Sequence, residues 1–435
     1  MTDTQETRSF NYKKQLKGSA VFKLGAVLAT FLAMPIMIDY LGAELFGVWA
    51  TMLTLLTWVM LFDLGIGNGL RNKITESLAK KRPDTAAEYI STAYGLVGLI
   101  SLMIFLVFLI GNVWLPWQKV FNTTSVPERI LSEAVVTLGF FIFLNFWISL
   151  VNQVYQGLQK TSVMVFGQFL SNALALIFVF LLSVYTKGTL IFLIWAYGLS
   201  LILSNSILTI YLFSVHKEIR PKIILFDFGK VRALFSLGMR FFIIQLAVLV
   251  IFMSDKILIT QLLGPQYVTS YEVIFKLFSV FTVLHAVVLA PLWPAYSDAH
   301  AKGDMDWIRK QLKKQIKFAS LIFVMAILLA LVGPLIVKLW IGEDGSAPHS
   351  LHMLFAFFII VSVWNNVFAY FVNAINELSV QLWSAILAGL LNIPLSIFLV
   401  KYVGMGVGGV VMATLLSLSI YSFIGPLQVL KIIKE

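Results

Sequence analysis

Apolar and polar residues alternate in this chain in long blocks rather than at short period. Apolar runs of span length occur at about 19–40, 44–66, 89–113, 130–155, 163–185, 189–213, 233–254, 268–293, 316–340, 351–374, 379–400 and 405–430. A helix needs about 20 such residues to cross roughly 30 Å of hydrocarbon. The pattern therefore predicts twelve transmembrane helices, and polar segments between them too short to fold as separate domains.

A second pattern lies over the first. Shifting the numbering by 222 brings Leu41-Gly42 onto Leu263-Gly264, Trp49 onto Tyr271, Asp63 onto His285 and Lys80 onto Lys302. Gly111 falls on Gly333, and at a shift of 217 Trp147 meets Trp364 and Ser162 meets Ser379. Matches of glycine, tryptophan and loop residues carry more weight than leucine matches in an apolar chain. The expectation is an all-α polytopic membrane protein built as two six-helix bundles, 1–215 and 233–435, joined by a polar linker at 216–232. Six spans per half is an even number, so both halves have the same orientation, the parallel type of transporter repeat.

Composition agrees with this picture. Of 435 residues 59% are hydrophobic and 12% charged, about half the charged share of a soluble domain, and the mean hydropathy is +0.90. The net charge of +11 does not indicate nucleic acid, because the basic residues lie between apolar blocks. Of the 32 Lys and Arg, 25 fall on the side of the N-terminus, six on the other side, and Lys276 lies within a span. That bias places both termini in the cytoplasm. The chain has no cysteine, which excludes disulfides, thiol chemistry and Cys-ligated zinc.

Enzyme signatures are lacking. Gly404-Met-Gly406-Val-Gly408-Gly409 satisfies G-x-G-x-x-G, but a dinucleotide site needs a preceding strand. Here the glycines open the last span, where small residues permit close helix packing. Charges inside spans are more informative, because each is costly in lipid and usually faces a cavity or a partner. They are Lys23, Arg240, Glu272 and Lys276. Lys23 and Arg240 lie one or two turns from the cytoplasmic end, where snorkelling serves as well as function. Glu272 and Lys276, four apart, are spaced to pair on one helix face.

A polar stripe, Asn145, Ser149, Asn152 and Gln156, runs along the fourth span, and its shifted counterpart is Ser362, Asn366, Ala369 and Asn373. Interhelical hydrogen bonding explains any one of them. Two matched stripes also suit a cavity for sugar hydroxyls. The break F-D-L-G-I-G-N-G-L-R places Asp63, Asn68 and Arg71 at the headgroup level, as helix caps and a lipid-phosphate contact or as a cytoplasmic gate. The second half has Pro291, Pro294 and Asp298 in that region.

Tyr40-Leu41-Gly42, Phe46-Gly47-Val48-Trp49 and Asp63-Leu64-Gly65-Ile66-Gly67-Asn68 resemble the polysaccharide flippases of the MOP superfamily, specifically the Wzx-type O-antigen transporters. The span count and internal repeat extend the resemblance along essentially the whole chain. It implies a MATE-like fold without catalysis and transfer of a polyprenyl-diphosphate-linked oligosaccharide across a bacterial inner membrane. It also implies coupling to a proton or sodium gradient in place of a cofactor, and a polysaccharide polymerase and chain-length regulator as partners beside membrane lipids. Lys23, Arg240 and Lys276 would be counterparts of the cavity cations of related lipid-precursor flippases. Asp63, Asp255, Glu272 and His285 are the residues available for proton coupling. The readings this leaves open are a multidrug exporter of the same superfamily and a membrane polysaccharide polymerase or ligase.

Overall fold

The computed structural model describes residues 2–58, 65–236, 254–289, 292–375 and 377–434. Among these the chain is almost entirely helical, with no strand. Ten helices are long and apolar enough to cross a membrane. One of them, the apolar part of α1 (Thr2–Thr57), runs 39 residues from Gly18 to Leu56, about 58 Å of helix and nearly twice a bilayer core. It is broken at Gly42, whose φ of 75° and ψ of 164° are non-helical. The first two expected spans are therefore two helices joined at a glycine. The expected span at 233–254 lies almost wholly outside the described residues.

The remaining elements follow in order. They are α2 (Ile66–Ala79), α3 (Pro83–Asn112), α4 (Trp117–Val120), α5 (Glu128–Ile148), α6 (Leu150–Gly157), α7 (Thr161–Tyr185), α8 (Leu190–Val215) and α9 (Phe228–Ser236). A short helix over 254–262, α10, precedes α11 (Gln266–Leu289), α12 (Leu292–Ala301) and α13 (Met305–Trp340). The chain ends with α14 (His349–Ala374), α15 (Ser379–Lys401) and α16 (Val407–Lys434). They form two compact units, Met1–Gly42 with Met52–Gln245, and Ala43–Thr51 with Leu246–Glu435.

In the first unit the core lies under the amphipathic helix α2. Ile66, Leu70 and Ile74, spaced four apart, are fully buried against Ile90 and Val97 of α3, Val151 and Val154 of α6, and Leu208 and Leu212 of α8. Gly69 is required there, because a Cβ would fall 2.2 Å from the Leu234 carbonyl oxygen. Farther along α3, Leu99, Leu106 and Ile110 are half exposed or more. That surface suits a lipid solvent, which has no penalty for apolar contact.

The second unit repeats local features of the first. Helices α3 and α13 begin 222 residues apart, at Pro83 and Met305, while α8 and α16 begin 217 apart, at Leu190 and Val407. The turns before α3 and α13 close with the same paired bonds of a Schellman end. Arg82 N donates to Ser77 O and Lys81 N to Leu78 O; Asp304 N donates to Ala299 O and Gly303 N to His300 O. The residue in the left-handed conformation is Lys81 (φ 55°) in one and Gly303 (φ 72°) in the other. Even the ion pairs correspond, with Lys80–Glu76 and Lys302–Asp298 both at 2.7 Å. Gly404 and Gly406 form the turn before α16, Gly408 and Gly409 lie in its first turn, and a helix precedes them, so the dinucleotide reading has no strand to stand on.

Candidate functional site

The sequence-predicted residues separate into three groups. Asp63 and Arg240 lie outside the described residues. At the expected break, Asn68 stands inside the first turn of α2 and caps nothing, since the N-cap is Gly65 at φ 81°. Arg71 donates to Gln156 Oε1 of α6 at 3.2 Å, a bond to protein. Asp298 pairs with Lys302 at the end of α12.

The intramembrane charges are arranged differently from their spacing. Lys23 of α1 donates to Gln168 Oε1 of α7 at 2.9 Å. Glu272 forms its ion pair with Lys256 of α10, at 2.7 Å, both side chains about four-fifths buried. Lys276 lies one turn farther along α11, half-buried. The pairing expected along one helix is thus made between two. Lys256, between two of the expected spans, is an interior residue of the second unit. Its neighbour Asp255 is 2% exposed. Tyr271 OH donates to Asp255 Oδ2 at 2.9 Å and Thr414 Oγ1 to Oδ1 at 3.0 Å. Asn392 Nδ2 supports Thr414 Oγ1 at 2.8 Å. His285 is fully buried beside Phe318, with neither ring nitrogen hydrogen-bonded among the described residues.

The two polar stripes have opposite fates. In the first unit Asn205 of α8 closes the stripe, donating to Asn145 Oδ1 at 2.7 Å and accepting from Asn152 Nδ2 at 3.1 Å. Ser149 turns back to the Phe146 carbonyl, and Gln156 faces Met164 Sδ. In the second unit the stripe opens on a cavity of about 350 Å³ between α11, α14, α15 and α16. Ser362, Asn366 and Ala369 line it as the spacing predicts, together with Gln381, Ser417 and Tyr421. No charged side chain is among its described lining residues. Four of its buried polar atoms, Ser362 Oγ, Gln381 Oε1, Ser417 Oγ and Tyr421 OH, have no hydrogen-bond partner among the described residues. Such groups are costly when left dry, and all four belong to residues that line the cavity.

Sequence reasoning missed Gln381, Ser417 and Tyr421. A signal existed in the four-residue step from Ser417 to Tyr421 and the three-residue step from Gln381 to Ser384, each putting two polar groups on one helix face.

Known proteins give the same frame. The chain is 26% identical to a putative O-antigen export protein of Yersinia pseudotuberculosis over 84% of its own length and 83% of that protein's. It is 23% identical to a putative O-antigen transporter of Salmonella typhimurium, covering 89% of each. A solved MATE family transporter of the MOP superfamily, described as inward-facing, superposes with a TM-score of 0.77 at 14% identity, over 95% of this chain and 99% of that one. A second MATE structure, in complex with MaL6, gives 0.67 at 14% identity, over 97% of each. The fold is thus that of the MATE transporters. Residues 17–300, well over half of the sequence, match the polysaccharide biosynthesis protein family, and the chain belongs to that family.

Proposed function

We propose that the protein is a flippase that moves a polyprenyl-diphosphate-linked oligosaccharide from the cytoplasmic to the outer leaflet of a bacterial inner membrane. The observation that carries this reading is the cavity of the second unit, whose described lining sets uncharged polar side chains among apolar ones. A glycan presents hydroxyls that both donate and accept. The lining residues contribute three hydroxyls and one amide oxygen that have no partner among the described residues, complementary to such a ligand. Transfer of a sugar through hydrocarbon leaves each polar group unsatisfied, at several kcal/mol apiece. A cavity of this kind substitutes for water around the glycan while the lipid tail stays in the bilayer.

A cationic drug would call for a carboxylate in the cavity, and the described lining has none. A polymerase or ligase would need an external platform for glycan. The external segment after α3 instead folds into a tight turn in which Glu128 accepts from the backbone N–H groups of Trp117 and Gln118. For ion coupling the reading assigns Asp255, the sealed carboxylate held by two hydroxyls.

Deletion of the gene in its host tests the reading. The expected result is loss of surface polysaccharide with a complete lipid-linked repeat unit retained on the cytoplasmic face. Build-up of that unit on the outer face would mean polymerisation instead, and drug sensitivity with normal polysaccharide would mean a drug exporter.

A further inference from the structure

The segment between α8 and the end of α9 does not hang free. Lys222 N donates to Ser91 Oγ at 3.0 Å and Asp227 N to Thr92 Oγ1 at 3.1 Å, both on α3. Lys230 bridges Glu88 and Asp227 at 2.7 and 2.8 Å, with its ammonium 5.6 Å from the Tyr89 ring centroid. Phe226 lies against Gly95, where a Cβ would come within 2.8 Å of its ring. These contacts set a depth. The acidic residues of α3, Asp84 and Glu88, precede its apolar stretch, and Ser91 to Gly95 already belong to that stretch. The segment is therefore pinned at or just below the headgroup level.

At that depth it exposes apolar side chains to its surroundings. Ile223 is 97% exposed, Ile224 90% and Phe228 82%. Exposure of three such residues together is unfavourable in water and favourable at the acyl boundary. Beside them Lys217, Arg220, Lys222 and Arg232 are exposed. None of the four forms a salt bridge among the described residues, whereas Lys230 and Glu218 are paired. Apolar residues at the interface with free cations around them fit one surface, an anionic lipid leaflet.

We propose that residues 217–232 form an interfacial anchor that recognises anionic phospholipid, with Ile223, Ile224 and Phe228 entering the acyl boundary and Lys217, Arg220, Lys222 and Arg232 meeting headgroup phosphates. The anchor is independent of what the protein carries. A soluble protein partner fits less well, because the apolar side chains lie level with α3 residues that are themselves within the apolar span.

The lack of native cysteine makes the test direct. Ile224→Cys, at a site almost free of protein contact, is labelled with a polarity-sensitive fluorophore. The full chain is then reconstituted in phosphatidylcholine vesicles with and without phosphatidylglycerol. The expected result is blue-shifted emission, quenched by lipids with a shallow nitroxide and more so with phosphatidylglycerol. Replacing the four cations by glutamine weakens partition by about fivefold per residue in the anionic vesicles only. Water-like emission quenched by iodide in both vesicles would overturn the anchor. Emission insensitive to phosphatidylglycerol and to the cations would overturn anionic recognition, and emission that shifts only when a cytoplasmic extract is added would replace lipid by a protein partner.

Discussion

The two units share helix starts, turn geometry and terminal ion pairs, yet their interiors differ. In the first, the polar stripe is spent on itself through the Asn145–Asn205–Asn152 bonds. In the second, polar groups are left over around a cavity, and a buried Lys256–Glu272 pair and the sealed Asp255 lie in the same unit. One position illustrates the physical cause. Gly167 of α7 allows α8 to approach until a Cβ there would lie 2.4 Å from Leu208 Cδ1, whereas the position 217 residues later is Ser384, a lining residue of the cavity. One helical plan is thus closed on itself in the first unit and left open around a cavity in the second.

The largest expected effect that separates the units is on the buried pair. Lys256→Met takes away the ion-pair partner of Glu272 and leaves it the Lys276 ammonium one turn away, so stability should fall by up to ~3–5 kcal/mol. The double variant with Glu272→Gln should recover most of that, and thermal unfolding in detergent reads both. Next, Gly167→Ser should cost ~1–3 kcal/mol by overpacking α7 on α8, while Ser384→Gly, the reverse change in the other copy, leaves the melting temperature nearly unchanged. An equal loss from both would erase the contrast.

The polar groups sharpen it further. Asn205→Ala removes two hydrogen bonds and should cost ~1–2 kcal/mol. Tyr421→Phe removes a hydroxyl with no hydrogen-bond partner among the described residues. It should leave stability within about 0.5 kcal/mol and lower glycan export by about two- to tenfold, measured as surface polysaccharide at equal protein level. Unchanged export would detach the cavity from transport.

The smallest effect concerns a feature the units share. The ammonium groups of Lys73 and Lys80 hold the Glu76 carboxyl down from its ordinary 4.5 to about 2. A depressed carboxyl stabilises the fold above its unfolded value and stops doing so as pH falls through the folded one. Protection of the amides of residues 80–82, taken relative to their intrinsic exchange rates, should therefore fall as pH drops from about 4.5 to 2, and Glu76→Gln should abolish that loss. No change across this window would mean that the Schellman bonds hold the turn alone.

Most of the architecture was legible in the sequence because lipid imposes one rule on every span, and block length reports it. The repeat was legible where backbone geometry demands a residue, as at Gly42 and Gly264, both at positive φ. Partner choice was not. Glu272 and Lys276 have the spacing of a pair on one helix, but the closer ion pair comes from Lys256, a contact set by the approach of a neighbouring helix. Asn205 closes a stripe 60 residues away, and no local spacing announces that. Asn68 looked like a cap because its type favours caps, yet the backbone placed Gly65 there instead.

Gly42 has nothing within 4 Å of where a side chain would begin. No neighbour forbids a larger residue; only the torsion does. A compensating change elsewhere cannot relieve that constraint, whereas a packing clash can be relieved by trimming the other party. Corners of this kind should be the slowest features of a repeated plan to fade, holding the path of the backbone after the side chains around them have changed.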